Sequence, residues 1–219
     1  MLIDKYFTGR LQEMRATSDR ATFAAREVAT IEIMASIVQR ELFVASGNVA
    51  DIGCGDRFLQ SEFEKRGMNY SGFDIQDGNF EIDPIPASNK SFDLMVSYSL
   101  IEHLSDPSNL LSEMLRCLKP DGHIIIETPN WHYSQHDFYN DYTHVKPYTP
   151  CSLISLLNHH GFIVLGDFPN VRCKSNWFYT NQYRYFFASH LPFTGSKKFV
   201  PSFLKGRAKG MFLVATLET

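Results

Sequence analysis

The sequence predicts a three-layer α/β domain built around one mostly parallel sheet. Three observations point there. Short apolar runs of strand character alternate with amphipathic helical runs from residue 21 to residue 168. The first such run, NVADIGCG, ends in a glycine turn that leads into a helix. A later run, HIIIETP, is apolar almost throughout, as a strand covered on both faces must be. The chain has 219 residues, 44% of them hydrophobic and 21% charged, which suits one domain, residues 1–219, with a substantial core.

The elements follow in order. Residues 1–20 hold no sustained period and are read as an N-terminal arm or lid. In residues 21–42, Val28, Ile31, Ala35, Val38 and Leu42 recur at three and four and mark the buried face of a helix, which Gly47 follows. NVADI is the first strand, and RFLQSEFEKRG is a helix closed by Gly67. YSGFDI is a strand that ends on an acid, and Phe92–Val96 is the core of the next. Asp106 and Pro107 open a helix whose inner face is Leu110, Leu111, Met114, Leu115 and Leu118. KPDG turns the chain into HIIIETP. Thr149 and Pro150 open another helix, with Leu153, Leu156 and Leu157 inside and Gly161 past its end. FIVLGDF and GMFLVATLE are the last two strands, and residues 171–207 between them form an insertion dense in aromatics.

The formal net charge is −3, so no global basic field exists to recruit nucleic acid. Cys54, Cys117, Cys151 and Cys173 show no close CxxC pair and read as free thiols. No run approaches the roughly 20 apolar residues of a membrane span, and the N-terminus does not read as a signal peptide. A cytoplasmic location, or a peripheral one at the inner membrane face, is expected.

The sharpest local feature is VADIGCGDRF. A strand delivers Asp51 to its end, Gly53 and Gly55 allow a tight turn and close approach by a ligand, and a helix N-terminus follows. Asp74 ends the next strand, where an acid accepts hydrogen bonds from ribose hydroxyls; a plain strand-end cap is the other use of an acid there. A dinucleotide site wants GxGxxG, but Phe58 stands at the third glycine, and Asp51 would repel a pyrophosphate. A ligand carrying an ammonium and a sulfonium suits that acid, which favours S-adenosyl-L-methionine.

In this ordered set the chain resembles the class I S-adenosylmethionine-dependent methyltransferases. Its branch is that of small-molecule enzymes such as the ubiquinone-biosynthesis and sugar O-methyltransferases. VADIGCGDR, FDI, PIPASNKSFDLMVSYSLIEHLSDP and LLSEMLRCLKPDGHIIIETPN carry the likeness over residues 28–168. The resemblance implies a Rossmann-like sandwich with a mostly parallel seven-stranded sheet and the aromatic insertion before the last strand. It places Asp51, Gly53 and Gly55 at the methionine side of the cofactor and Asp74 at the ribose. Phe80 with Ile75 or Ile82 lies near the adenine, and Ser97 and Ser99 stand beside the methyl-transfer centre. Arg57 departs from the pattern, which often has a third glycine there.

Two clusters are candidates for proton transfer. Glu102 and His103 follow the fourth family strand, and His103 is a candidate base, although this stretch also reads as scaffold. The loop HYSQHDFYNDYTHVKPYTP mixes polar and aromatic groups as an acceptor pocket does. By resemblance to ubiquinone-type and sugar methyltransferases, His144 is the general base, with Asp141 orienting it; a lid without proton transfer is the competing reading. His132, His136, Asp137, Asp141 and His144 match no familiar metal spacing, so no metal is expected.

Residues 174–209 hold seven lysines and arginines, interleaved with aromatics, and no Asp or Glu. Such a segment suits a roof over a bulky acceptor, contact with an anionic membrane, a homodimer face, or plain packing over the sheet edge. Nucleic acid ranks last among its partners. The function expected is methyl transfer, to oxygen first and nitrogen second, on a small-molecule, sugar-type or lipid-linked acceptor. The alternatives are a catalytically silent protein of the same fold that binds a partner and, more remotely, a nicotinamide-dependent oxidoreductase.

Overall fold

A computed structural model describes residues 20–172, 174–194 and 199–218. The expected arm, apart from Arg20, lies outside them, as do Cys173, Lys197 and Lys198.

Helix α1 (Arg20–Val38) buries Ala24, Val28, Ile31 and Met34, and Gln39 stops it in the left-handed region at φ 53°. Strand β1 (Asn48–Ile52) leads through the glycine turn to α2 (Gln60–Lys65), which Gly67 closes at φ 77°. Strands β2 (Asn69–Phe73) and β3 (Phe92–Tyr98) follow, then α3 (Ser108–Cys117) and β4 (Leu118–Pro129). Strand β4 begins five residues earlier than expected; its register against β3 shifts between Phe92 and Leu94, so KPDG bulges out of a strand that Leu118 has already started. After the short α4 (Trp131–Ser134) come α5 (Pro150–His159) and β5 (Phe162–Asn170). A capping box between Thr149 and Ser152 fixes the start of α5, and Pro150 sits at its opening. The insertion carries α6 (Gln182–Ser189) and strands β6 (Phe193–Thr194) and β7 (Lys205–Arg207), before β8 (Gly210–Leu217).

The sheet order is β2-β1-β3-β4-β8-β5, parallel except for β8, which runs antiparallel to both neighbours. This is the Rossmann-like, mostly parallel architecture expected. Among the described residues the main sheet has six strands rather than seven, and β6 and β7 pair apart from it. The edge beyond β2 gains no strand because residues 75–91 carry a 3-10 turn and Pro84 and Pro86, which cannot donate to a ladder.

Alternate residues of the strands face opposite layers. Ile52, Met95, Ile124, Ile126, Leu213 and Ala215 pack with Leu110, Leu111 and Met114 of α3 and with Leu153 and Leu157 of α5. Val49, Leu94, Val96, Ile125, Phe212 and Val214 pack with Val28, Ile31 and Met34 of α1 and with Phe63 of α2. Leu115, expected inside, is 38% exposed, because it falls on the edge of the α3 face that Leu110, Leu111 and Met114 already fill, and Leu118, expected on that face, instead begins β4. The insertion docks on α1 through Tyr179, Tyr185 and Ala188 against Ile33 and Val171. Trp177, Tyr183, Phe187, Phe199 and Phe203 remain exposed. From β1 the chain winds outward to β2 and then back across to β3. The crevice at the carboxyl ends of β1 and β3 is therefore the switch point where open α/β sheets bind ligands.

Candidate active site

The glycine turn is built from the end of β1. The amides of Gly53 and Cys54 donate to the carbonyl of Phe73 at 2.8 and 3.1 Å and pin the turn to the end of β2. Gly53 and Gly55 sit at φ 77° and 52°, and a Cβ on Gly53 would lie 3.2 Å from the Leu100 side chain. The Asp74 carboxylate accepts from the amide of Gly55 at 2.5 Å and from that of Ile75 at 2.6 Å, and so joins the two strand ends. The acid is thus a cap, and it also lines the cavity described below. Arg57 keeps the left-handed backbone of the glycine it replaces, at φ 56°. Its guanidinium reaches back to the Gly72 carbonyl at 3.4 Å and lines no part of the cavity.

Asp51 is buried under this turn, with its carboxylate accepting from the Tyr70 hydroxyl at 2.7 Å. Burial pushes its pKa up to about 7; the Tyr70 bond opposes the shift, and Asp74 and Asp56 add repulsion. Asp56 is clamped by Arg20 at 2.5 and 2.9 Å.

A mostly apolar cavity of about 530 Å³ opens at the switch point. Gly53, Gly55, Asp74, Ile75, Phe80, Ser99 and His103 line it, together with Leu100, Leu104 and the loop residues Tyr142, Thr143 and Val145. Four expected site residues lie behind this wall. Asp51 is covered by the turn, and the buried Ser97 hydroxyl points into packed interior without a hydrogen-bond partner among the described residues. His144 sits behind His103, with ring centroids 4.7 Å apart. Asp141 does not orient His144 by a hydrogen bond, since its nearer oxygen is 3.9 Å from Nε2; it accepts instead from the Thr143 hydroxyl at 2.6 Å and the Thr143 amide at 3.1 Å.

The loop is locked onto the turn that carries His103. The amides of Val145 and Lys146 donate to the Glu102 carbonyl at 2.9 and 3.1 Å. Nδ1 of His103 meets the Thr143 carbonyl at 3.1 Å and its hydroxyl at 2.9 Å, while Nδ1 of His144 meets the Phe138 carbonyl at 2.7 Å. A ring nitrogen facing a carbonyl oxygen must donate, so in the neutral form each imidazole has its one proton on Nδ1 and leaves Nε2 as the acceptor. Glu102 is fully buried: one carboxylate oxygen accepts from Thr128 at 2.9 Å and the other has no partner among the described residues. Burial pushes its pKa up to about 8, with Glu127 adding to the rise. One ligand atom from each of Glu102, His103 and His144 lies within 4.8 Å of the others, a donor set that a divalent cation can use.

Sequence reasoning missed a second buried group. Ser99, at φ 49°, donates its hydroxyl to Glu127 at 2.9 Å, and its amide donates to the Glu127 carbonyl. Glu127 also accepts from Asn170 at 2.9 Å and pairs with Arg172 at 3.0 Å, and Arg172 reaches Glu27 at 3.3 Å. Burial pushes Glu27 up to about 7 against the pull of Arg172. The available signals were an acid inside the apolar run HIIIETP and a glutamate in register with Ala24, Ile31 and Met34 on α1.

A family model described as a methyltransferase domain matches residues 24–165. The chain belongs to this methyltransferase family. It is 31% identical to a probable S-adenosylmethionine-dependent methyltransferase of Mycolicibacterium smegmatis, over 39% of each chain. It is 25% identical to a ubiquinone biosynthesis O-methyltransferase of Pseudomonas fluorescens, over 42% of this chain and 49% of that one. These matches span less than half the length of the curated relatives. A SAM-dependent methyltransferase from Archaeoglobus fulgidus superposes with a TM-score of 0.58 at 23% identity, over 87% of this chain and 93% of that one. One from Aquifex aeolicus superposes at 0.59 and 14% identity, over 94% and 96%. The methyltransferase's cofactor is S-adenosyl-L-methionine, and the residues present fit it. The cavity floor is glycine backbone without side chains, and the surrounding acids, Asp51 and Asp74, suit a ligand with an ammonium and a sulfonium. No described helix is long and apolar enough to cross a membrane.

Proposed function

We propose that this chain methylates an oxygen of a small-molecule acceptor that shares the switch-point cavity with S-adenosylmethionine. The observation that carries the reading is that one cavity is lined at one side by Gly53, Gly55 and Asp74 and at the other by His103. Asp74 would hold the ribose, the side-chain-free backbone of Gly53 and Gly55 would face the methionine end with the buried Asp51 acting through its field, Ile75 and Phe80 would flank the adenine, and Ser99 would mark the edge of the transfer centre. Bound there, S-adenosylmethionine supplies a methyl carbon made electrophilic by its sulfonium. The chain's own task is to exclude water, align the acceptor and take its proton. Leu100, Leu104, Tyr142 and Val145 give the apolar wall that excludes water. Nε2 of His103 is the atom that takes the proton, with the Thr143 backbone fixing the tautomer and His144 packed behind. The apolar lining and the likeness to ubiquinone biosynthesis O-methyltransferases support a phenol or another apolar hydroxyl compound, free or lipid-linked, ahead of a sugar.

The test is methyl transfer from labelled cofactor to a panel of phenols and sugars, with His103→Asn beside the native chain. A drop in kcat of about a hundredfold with unchanged affinity for S-adenosylhomocysteine is expected. Native-like turnover by His103→Asn would remove the base, and tight cofactor binding with no turnover on any acceptor would favour a silent binding protein. A second reading has one specific observation behind it, the convergence of Glu102, His103 and His144. A divalent cation held there would acidify the acceptor hydroxyl in place of the base. Loss of turnover in EDTA, restored by zinc or magnesium, selects that reading.

A further inference from the structure

The segment after β4 that lends Tyr142, Thr143 and Val145 to the cavity also contributes to a second recess. This recess has a volume of about 260 Å³ and is bounded by His132, Tyr133, Gln135 and His136 of the loop and by Phe193, Thr194 and Arg207 of the insertion. Every polar side chain in that lining carries a hydrogen-bond donor, and none is a carboxylate. The Arg207 guanidinium lies 5.3 Å from the Tyr133 ring centre, and no carboxylate among the described residues pairs with it. The acid next to His136, Asp137, is paired with Lys209. The insertion itself contributes no Asp or Glu between residues 174 and 209, so nothing on that side offsets the positive charge.

We infer that this recess is an anion subsite that binds a phosphate group. A guanidinium gives two parallel N–H bonds to a phosphate, and two imidazoles, an amide and a hydroxyl around it satisfy the remaining oxygens. The volume exceeds a single phosphate and admits a diphosphate or a phosphate ester with part of its substituent. A structural role alone does not account for the composition, because an arginine kept only for packing over Tyr133 needs no ring of donors beside it. If the proposed methyl transfer holds, an acceptor that spans the recess and the reaction cavity is a phosphorylated compound. The same loop reaches the reaction cavity through Tyr142, Thr143 and Val145. The phosphate would be that of a soluble ester or of a lipid headgroup.

The intact chain is titrated with inorganic pyrophosphate at physiological salt, by calorimetry, beside Arg207→Gln, His136→Gln and Lys205→Gln. Lys205 lies on the same ribbon but outside the recess and controls for diffuse charge. Saturable binding that weakens about tenfold in Arg207→Gln and severalfold in His136→Gln, and less than twofold in Lys205→Gln, is expected. Equal losses in Arg207→Gln and Lys205→Gln, or no saturable binding in the native chain, overturns the subsite. S-adenosylhomocysteine is titrated into each sample: it verifies the fold of the variants, and its failure to bind the native chain removes the methyltransferase reading while leaving the pyrophosphate result intact. Sedimentation with phosphatidylglycerol vesicles, but not phosphatidylcholine vesicles, that needs Arg207 assigns the phosphate to a lipid headgroup. Pyrophosphate binding without sedimentation assigns it to a soluble ester. Sedimentation indifferent to Arg207→Gln, without pyrophosphate binding, overturns the proposal.

Discussion

Replacing Asp51 by Asn should make the protein more stable at alkaline than at acidic pH relative to the native chain. The Asp51 carboxylate titrates at about 7 in the fold against 3.8 in the open chain. A raised folded pKa means that the fold holds the proton more tightly. The group's contribution is fully favourable below 3.8 and is lost as pH rises toward 7. The shift of about three units, at about 1.4 kcal/mol each, puts the full loss near 4 kcal/mol. By about pH 5 only about one unit of it has been incurred, so roughly 2–3 kcal/mol separates pH 5 from pH 8. Asn keeps an acceptor for the Tyr70 hydroxyl and carries no charge to desolvate. Glu27 and Glu102 titrate in both proteins and cancel from the difference. Thermal unfolding of the cofactor-free chains should show the gap in melting temperature, Asp51→Asn minus native, widen by roughly 5–10 °C between pH 5 and pH 8, since 1 kcal/mol is about 2–4 °C at this size. A gap that stays constant across that range would show that Asp51 is not a buried, isolated carboxylate and would refute the reasoning.

Three further outcomes are expected. Arg172→Met strands Glu27 and Glu127; because 44% of the Arg172 side chain is exposed and water can substitute in part, the loss in urea unfolding should be about 2–3 kcal/mol, and adding Glu27→Gln should recover some of it. Arg57→Gly relieves a left-handed backbone at a cost in chain entropy, so a net gain of up to about 1 kcal/mol should appear with cofactor affinity unchanged. Thr149→Ala opens the capping box of α5 and should cost about 1 kcal/mol, read from the urea midpoint at constant slope.

The fold was readable because its signals are local. The run NVADI, the glycine turn and the cap at Thr149 each act within a few residues, and the structure uses each as the pattern implies; at α3 the cap position falls one residue later than expected, on Pro107, and Asp106 accepts from the Ser108 amide from outside it. What escaped were groups whose meaning depends on distant partners. Glu127 reads as a flaw in an apolar strand until Ser99, Asn170 and Arg172 meet it. Glu102 reads as scaffold, and His103 as one of two candidate bases, until the 141–146 loop folds over them and brings His144 alongside. Asp51 was placed against the ligand because it ends a strand beside glycines; the turn in fact closes over it, and its influence on a ligand is through its field. Leu115 shows the limit of periodicity, since a helix face three positions wide leaves its edge to solvent.

The antiparallel seat of β8 has a consequence for how the chain comes together. Strands β4 and β5 each offer a bare edge until residues 210–217 arrive to pair with both at once. Ordering the centre of the sheet therefore waits on a segment that follows the whole aromatic insertion, the costliest kind of closure in contact order. Until then two hydrophobic edges stand open to other chains. A ribosome-tethered chain stopped before residue 210 should be protease-sensitive and sticky, and the arrival of residues 210–217 should set the rate at which the sheet becomes whole.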